Sequence, residues 1–260
     1  MKTKLTIVKI GGNVINDTLL LNSFLDDFAK LEGPKILVHG GGKVATELSI
    51  ELGISPNLQN GRRITSQADL EVVTMVYAGL INKNITAQLQ ANNCNAVGLS
   101  GADLNTIQAV KRTPVPIDFG HVGDVTNVNT TIIEMLLQHT ITPVFCAITH
   151  DNAGNLLNTN ADTIASEIAI ALSNSYDTEL IYCFEKKGVL ADLNDEESVI
   201  QQINLETYEK LKNNGLIHTG MLPKMSNCFY ALQNMVSKVQ IGNHAMILKK
   251  NAICTTLSLN

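Results

Sequence analysis

An α/β fold built on a parallel sheet is predicted here by three observations. Leu5-Thr6-Ile7-Val8-Lys9-Ile10 reads as a buried strand that ends on Gly11-Gly12. Lys35-Ile36-Leu37-Val38-His39 reads as a second strand that runs straight into Gly40-Gly41-Gly42. Between and after them lie segments of helical spacing, and the order strand, helix, strand, glycine loop, helix packs as a parallel sheet with helices on its faces.

The elements follow in order. Asp17 to Leu31 has Leu20, Phe24, Leu25 and Phe28 on one helical face and stops at Gly33-Pro34. Lys43 to Leu52 reads as a helix, and the polar segment from Asn57 to Ile64 as a hairpin or excursion. Ser66 to Asn92 is a long helix with Leu70, Val73, Val76, Tyr77, Leu80 and Ile81 inward. Strands are expected at Ala96–Leu99, Ile107–Val110, Gly120–Val125 and, in the core, Pro143–Ile148; Thr130 to Gln138 is a helix. Asp151-Asn152-Ala153-Gly154-Asn155 is a turn. Asn160 is placed to cap a helix running to about Leu172, Glu179–Phe184 is the next strand, and Pro223 suits the first turn of a last helix reaching Val236.

Bulk properties exclude several function classes. The 260 residues are 45% hydrophobic and 17% charged, an ordinary globular composition with enough chain for a sizeable core. The formal net charge of −5 offers no electrostatic footprint for nucleic acid, so any anion site is local. Cys94, Cys146, Cys183, Cys228 and Cys254 are scattered, with no C-x-x-C pair, and read as reduced structural thiols. No apolar run is long enough to span a bilayer and no signal peptide precedes the first strand, so no membrane role and a cytoplasmic address are expected.

Five segments carry chemistry. Lys9-Ile10-Gly11-Gly12 can aim a lysine at a phosphate at a carboxyl-terminal strand end, where open parallel sheets bind ligands; the bland alternative is a snorkelling lysine before a tight turn. His39-Gly40-Gly41-Gly42 lets backbone approach an anion in front of a helix N-terminus, with His39 read as structural. This loop is not a Walker A motif, because Leu37 and Val44 stand where Gly and Ser/Thr are required. Gly40, Gly42 and Ala45 satisfy a loose dinucleotide fingerprint, but no strand with a terminal acid follows. Asn60-Gly61-Arg62-Arg63-Ile64-Thr65 offers guanidinium groups for a carboxylate clamp, or simply surface arginines. Asn158-Thr159-Asn160-Ala161-Asp162 opens a helix that its side chains can cap, and Asp162, inside the first turn, can instead hold neighbouring lysines. The loop from Gly215 to Lys224 can deliver a lysine at a helix start as a phosphate lid.

In this order and at these intervals, over essentially the whole chain, the segments resemble the amino-acid kinase family, and within it the branch that phosphorylates N-acylated glutamate. Met75-Val76-Tyr77-Ala78-Gly79-Leu80-Ile81-Asn82-Lys83, Val97-Gly98-Leu99-Ser100-Gly101-Ala102-Asp103 and Gly120-His121-Val122-Gly123-Asp124-Val125 add to the match. The resemblance implies a three-layer αβα sandwich around one mainly parallel sheet, the carbamate kinase-like fold. It also implies two lobes, 1–173 for the acylglutamate and dimerisation, and 174–260 for the nucleotide, joined near Ser173–Asp177.

It implies roles as well. Lys9 and Lys224 neutralise the phosphoryl group in flight and Asp162 orients both. Gly11 and Gly12, with Lys224, lie against the nucleotide. Gly41 and Gly42 hold the reacting γ-carboxylate, and Arg63, with Asn158 beside it, clamps the α-carboxylate. Arg62 stands where the family has leucine more often and is given no role. Three departures fall in the nucleotide half: Cys183-Phe184-Glu185-Lys186-Lys187-Gly188-Val189 in place of an Asp-Val-Ser-Gly type turn, Thr219 in place of glycine, and the poorly matching segment 242–260. Contacts to base and ribose are therefore left open. The extra N-terminal helix of arginine-inhibited members has no counterpart here, and a homodimer without arginine feedback is expected.

The implied reaction moves the γ-phosphoryl of ATP onto N-acetyl-L-glutamate in arginine biosynthesis, with N-succinyl-L-glutamate as the alternative acceptor. A glutamate carboxyl, with an ordinary pKa of about 4.3, is already anionic near neutrality and needs no general base. Alignment and charge neutralisation remain as the task, with Mg²⁺ held mainly by nucleotide phosphates and no protein metal site. Rivals are kinases acting on aspartate, carbamate or UMP, and a non-catalytic sensor on the same fold.

Overall fold

The structure is a computed structural model describing residues 2–59, 62–192, 194–215, 221–248 and 252–260. In chain order it comprises β1 (Thr3–Ile10), α1 (Gly12–Asn16), α2 (Thr18–Ala29), β2 (Lys35–His39), α3 (Gly42–Glu51), β3 (Asn57–Gln59), β4 (Arg62–Ile64) and α4 (Gln67–Thr74). A π-helical stretch, Met75–Ile81, joins α4 to α5 (Asn82–Ala91). There follow β5 (Ala96–Leu99), β6 (Ile107–Lys111), β7 (Gly123–Val128), α6 (Thr130–Gln138), β8 (Thr142–Cys146), β9 (Ile148–His150), β10 (Leu156–Asn158) and α7 (Ala161–Leu172). The remainder is β11 (Tyr176–Cys183), β12 (Gln202–Ile203), α8 (Leu205–Asn213), α9 (Leu222–Gln233), β13 (Lys238–Gly242) and β14 (Thr255–Leu257).

The main sheet has the order β12-β14-β13-β11-β1-β2-β8-β5. From β13 to β5 every pairing is parallel, and only the β13–β14 pairing is antiparallel. The uninterrupted apolar strands of the sequence have this cause: β2 and β8 are buried at every position, as strands covered on both faces must be. Strands from the first 173 residues occupy one half of this sheet and later strands the other, meeting where β1 pairs with β11. A smaller sheet, β10-β9-β6-β7, and the β3–β4 hairpin flank the first half.

Local signals set the helix starts. Asp17 accepts hydrogen bonds from the Leu19 and Leu20 amides, both at 3.0 Å, and starts α2. Ser66 and Asp69 form a reciprocal capping box at α4. Three expectations need correction. On α2 Leu21 is buried with Phe24, Leu25 and Phe28, and Leu20 packs against the core only partly buried. The run Pro143–Ile148 is two strands, because the chain leaves the main sheet at Ala147 and enters the smaller one as β9. The long helix is not uniform: its π-helical turn, with i→i+5 bonding, changes the helical phase. Leu80 is consequently 53% exposed, and Asn82 is buried.

Four of the cysteines are buried and Cys254 is half-buried. Among the described residues no helix is long and apolar enough to cross a membrane.

Candidate active site

The carboxyl-terminal ends of β1, β2 and β11 face the N-terminal ends of α3, α7 and α9. Lys9 is the penultimate residue of β1, in register with Val38 on β2 and Tyr182 on β11. Asp162 lies in the first turn of α7, whose N-cap Asn160 accepts the Asp162 amide hydrogen at 2.7 Å. Lys224 comes from the first turn of α9. The three meet: Lys9 Nζ is 2.6 Å from Asp162 Oδ1, and Lys224 Nζ is 3.3 Å from Oδ1 and 3.2 Å from Oδ2. Burial lowers the Lys9 pKa, with the Asp162 charge acting against that shift. Burial alone would raise the Asp162 pKa, but Lys9 and Lys224 together hold the carboxyl well below its usual range. Two ammonium groups thus share one carboxylate.

The glycine loop lies next to this cluster. Gly41 has φ +155°, and a Cβ there would stand 2.4 Å from Ile81 Cδ1 and 2.9 Å from Tyr77 Cδ1, so the loop can pass under the π-helical turn only as glycine. The first bond of α3 runs from the Ala45 amide to the Gly41 carbonyl, which leaves the amides of the first turn without helical partners. His39 is structural, as its position suggested. Its Nδ1 is 2.8 Å from the Gly40 carbonyl oxygen, so Nδ1 carries the proton and Nε2 accepts from Asn82 Nδ2 at 3.0 Å. Burial lowers its pKa to about 4, which keeps the ring neutral.

A cavity of about 560 Å³ opens beside the loop, lined among others by Gly41, Gly42, Arg63, Arg112 and Asn158. It reaches Ala161 and Pro223, the chain neighbours of Asp162 and Lys224. Arg63 is buried, and its guanidinium is already engaged: Nη1 lies 3.4 Å from Asp69 Oδ1, and Nη2 donates to the Gly42 carbonyl at 3.2 Å and to Thr46 Oγ1 at 2.5 Å. Asn158 donates through Nδ2 to Thr65 Oγ1 at 3.0 Å. Arg62, Lys43 and Arg112 also line the cavity, and Arg112 forms a two-pronged pair with Asp124.

The Gly11 amide donates to the Cys183 carbonyl at 3.0 Å, and Gly12 has open space where a side chain would be. Asn60, Gly61, Thr219 and Gly220 lie outside the described residues. Sequence reasoning missed Arg112, whose pairing partner lies across a hairpin, and Asp69 and Thr46, which fix Arg63. It placed Tyr77 inward without its packing on the glycine loop, and it missed Tyr182. An apolar strand context gave Tyr182 no polar signal. The Ser66–Asp69 spacing of a capping box is the one local signal that marks Asp69, and it marks a helix start.

The sequence pattern of the amino acid kinase family matches residues 4–243. The chain belongs to that family. Among amino acid kinases, its similarity is to curated acetylglutamate kinases. That of Cytophaga hutchinsonii is 55% identical over 240 residues, covering 92% of this chain and 90% of the relative. That of Bacteroides fragilis is 52% identical over 241 residues, covering 93% and 92%. The fold extends further in the family. Carbamate kinase from Giardia lamblia, solved bound to AMP-PNP, superposes with a TM-score of 0.70 at 14% identity, covering 99% of each chain. The protein is therefore an amino acid kinase of the acetylglutamate kinase group, a phosphotransferase with the mainly parallel sheet and two-sided helical cover of that fold.

Proposed function

We propose that this enzyme transfers the γ-phosphoryl group of ATP to the γ-carboxylate of N-acetyl-L-glutamate, giving the acyl phosphate and ADP in arginine biosynthesis. The observation that carries the reading is the Lys9–Asp162–Lys224 cluster, whose chain neighbours Ala161 and Pro223 line a cavity together with Lys43, Arg62, Arg63 and Arg112. A partly buried cluster with more ammonium than carboxylate groups suits an anion that arrives with the substrates. Between two reacting anions it lowers the electrostatic barrier, which is the principal difficulty of this transfer.

The acceptor lies in the cavity with its γ-carboxylate at the Gly41–Gly42 turn, whose free amides favour anions. Arg63, fixed by Asp69 and Thr46, meets the α-carboxylate, and the amide of Asn158 lies beside it. The nucleotide lies on the half of the sheet contributed by residues 174–260, with its phosphates over Gly12 and between Lys9 and Lys224. Mg²⁺ enters on the nucleotide phosphates, and the carboxylate nearest to them, Asp162, has both oxygens facing lysines. Bound there, the ion would withdraw charge from the β- and γ-phosphates. A cytoplasmic homodimer belongs to the same reading and rests on the family resemblance.

The test is ADP release in the presence of ATP, Mg²⁺ and each candidate acceptor. Turnover with N-acetyl-L-glutamate at a kcat/KM above that for N-succinyl-L-glutamate, aspartate, carbamate or UMP is expected. A higher value for the succinyl compound would overturn the acyl assignment, and saturable binding without ADP release would make the protein a sensor.

A further inference from the structure

Tyr182 stands directly beside Lys9, one strand over and in register with it, under the N-terminal turn of α7. Its side chain is among the largest that the fold buries completely, 1% exposed. A fully buried phenol in an otherwise apolar strand needs partners for its hydroxyl, and both come from α7. Tyr182 Oη donates to the backbone carbonyl of Asp162 at 3.0 Å and lies 2.6 Å from Ser166 Oγ. Ser166 in turn reaches the Asp162 carbonyl at 3.1 Å. The ring has a second contact: Lys224 Nζ lies over its face, 5.2 Å from the centroid, inside the range of a cation–π interaction.

One side chain therefore touches two members of the charged cluster by different means. The hydroxyl fixes the backbone of the residue that supplies the shared carboxylate. The π face carries the ammonium group that otherwise has only that carboxylate among the described contacts. Lys224 arrives at the start of α9 from a distant part of the chain, so the direction of its ammonium group is not set by the sheet that fixes Lys9. We propose that Tyr182 is a positioning residue for phosphoryl transfer, holding Asp162 through its hydroxyl and Lys224 through its ring. Burial raises the Tyr182 pKa well above its ordinary value, so the phenol keeps its proton and remains a donor over the working pH range. The inference deepens the kinase reading above and depends on the roles given there to Asp162 and Lys224.

The two contacts can be separated. Tyr182→Phe keeps the ring and removes the hydroxyl, whereas Tyr182→Leu removes both. With saturating ATP and N-acetyl-L-glutamate, Tyr182→Leu is expected to lower kcat by about tenfold and Tyr182→Phe by only about threefold, the scales of a desolvated cation–π contact and one hydrogen bond. Both KM values should stay within about twofold, because the residue touches no substrate. A merely structural role would lower the melting temperature and the active fraction without this graded effect on kcat per folded molecule. Active fraction is therefore measured by burst or tight-binding titration alongside thermal unfolding. If Tyr182→Leu does not fold, Tyr182→Met replaces it, keeping volume without a π face.

A kcat within twofold of the parent for the Leu or Met variant overturns the inference, and so does a Phe variant as slow as the Leu variant. Lys224→Ala, assayed in parallel, separates this failure from failure of the kinase reading. If Lys224→Ala is slow while the Tyr182 variants are normal, only the positioning role falls. If Lys224→Ala turns over normally, the mechanism itself is wrong.

Discussion

Around Arg63 each strong contact has a protein acceptor, whereas around Lys9 and Lys224 two ammonium groups share one carboxylate. Arg63 is balanced one to one by Asp69 and further held by the Gly42 carbonyl and Thr46. The lysine cluster has two cations to one anion, in a setting where both lysine side chains are largely buried. The difference separates two uses of positive charge. A paired guanidinium is a rigid frame that presents its remaining edge to a carboxylate with little reorganisation. An unbalanced pair of ammonium groups is a site whose electrostatics are completed by the ligand, and that is where transition-state charge is best met.

The sharpest way to break this contrast is Lys9→Ala. On the reading above, kcat falls by about 100-fold or more, the scale of one lost preorganised electrostatic group, while the circular dichroism spectrum and melting curve stay close to the parent's. Near-normal turnover in the coupled ADP assay would remove Lys9 from the mechanism. Arg63→Ala should instead act on binding. KM for N-acetyl-L-glutamate is expected to rise by about 10- to 100-fold with the KM for ATP unchanged, as for loss of a charged hydrogen-bonding partner. The opposite pattern, with ATP affected and the acceptor not, would place the frame on the wrong substrate.

The neutral His39 gives a smaller effect that belongs to stability. Its folded pKa of about 4 lies below the ordinary histidine value of 6.5, so the unfolded chain takes up the proton first as pH falls. Its contribution is fully present above about pH 6.5, weakens as pH falls from there and is exhausted below about pH 4. Between pH 7.5 and pH 5 the loss should be about 2 kcal/mol in urea unfolding, and His39→Gln should flatten that dependence. A parent protein equally stable at both pH values would mean that the ring is charged in the fold. Asn204→Ala supplies a control at a residue that neither lines the cavity nor touches the lysine cluster. Asn204 caps α8 through the Thr207 amide at 2.8 Å, and its loss should lower stability by about 1 kcal/mol and leave both KM values unaltered.

The sequence carried these two regions unequally. The glycine loop was legible because three consecutive glycines have a conformational cause, and at Gly41 the structure displays it as contact with Ile81 and Tyr77. Lys9 and Asp162 were legible as a strand end and a helix start. The partners that fix Arg63 were not, since Asp69 served equally well as a capping residue, and Thr46 is an unremarked helical threonine. Leu80 was misplaced because a heptad-like pattern assumes α-helical phase, which the π-helical turn from Met75 to Ile81 breaks.

By itself, the sequence determined the parallel α/β architecture, the helix cap at Asn160, and the family, because strand burial, capping and turn chemistry are written in neighbouring residues. Tertiary structure alone decided that Lys9, Asp162 and Lys224 meet, that Gly11 spends its amide on Cys183, and that Tyr182 lies between Lys224 and the backbone of Asp162. Those facts join residues far apart in the chain. Their distances depend on strand order and register, and a linear pattern of residue types does not encode either.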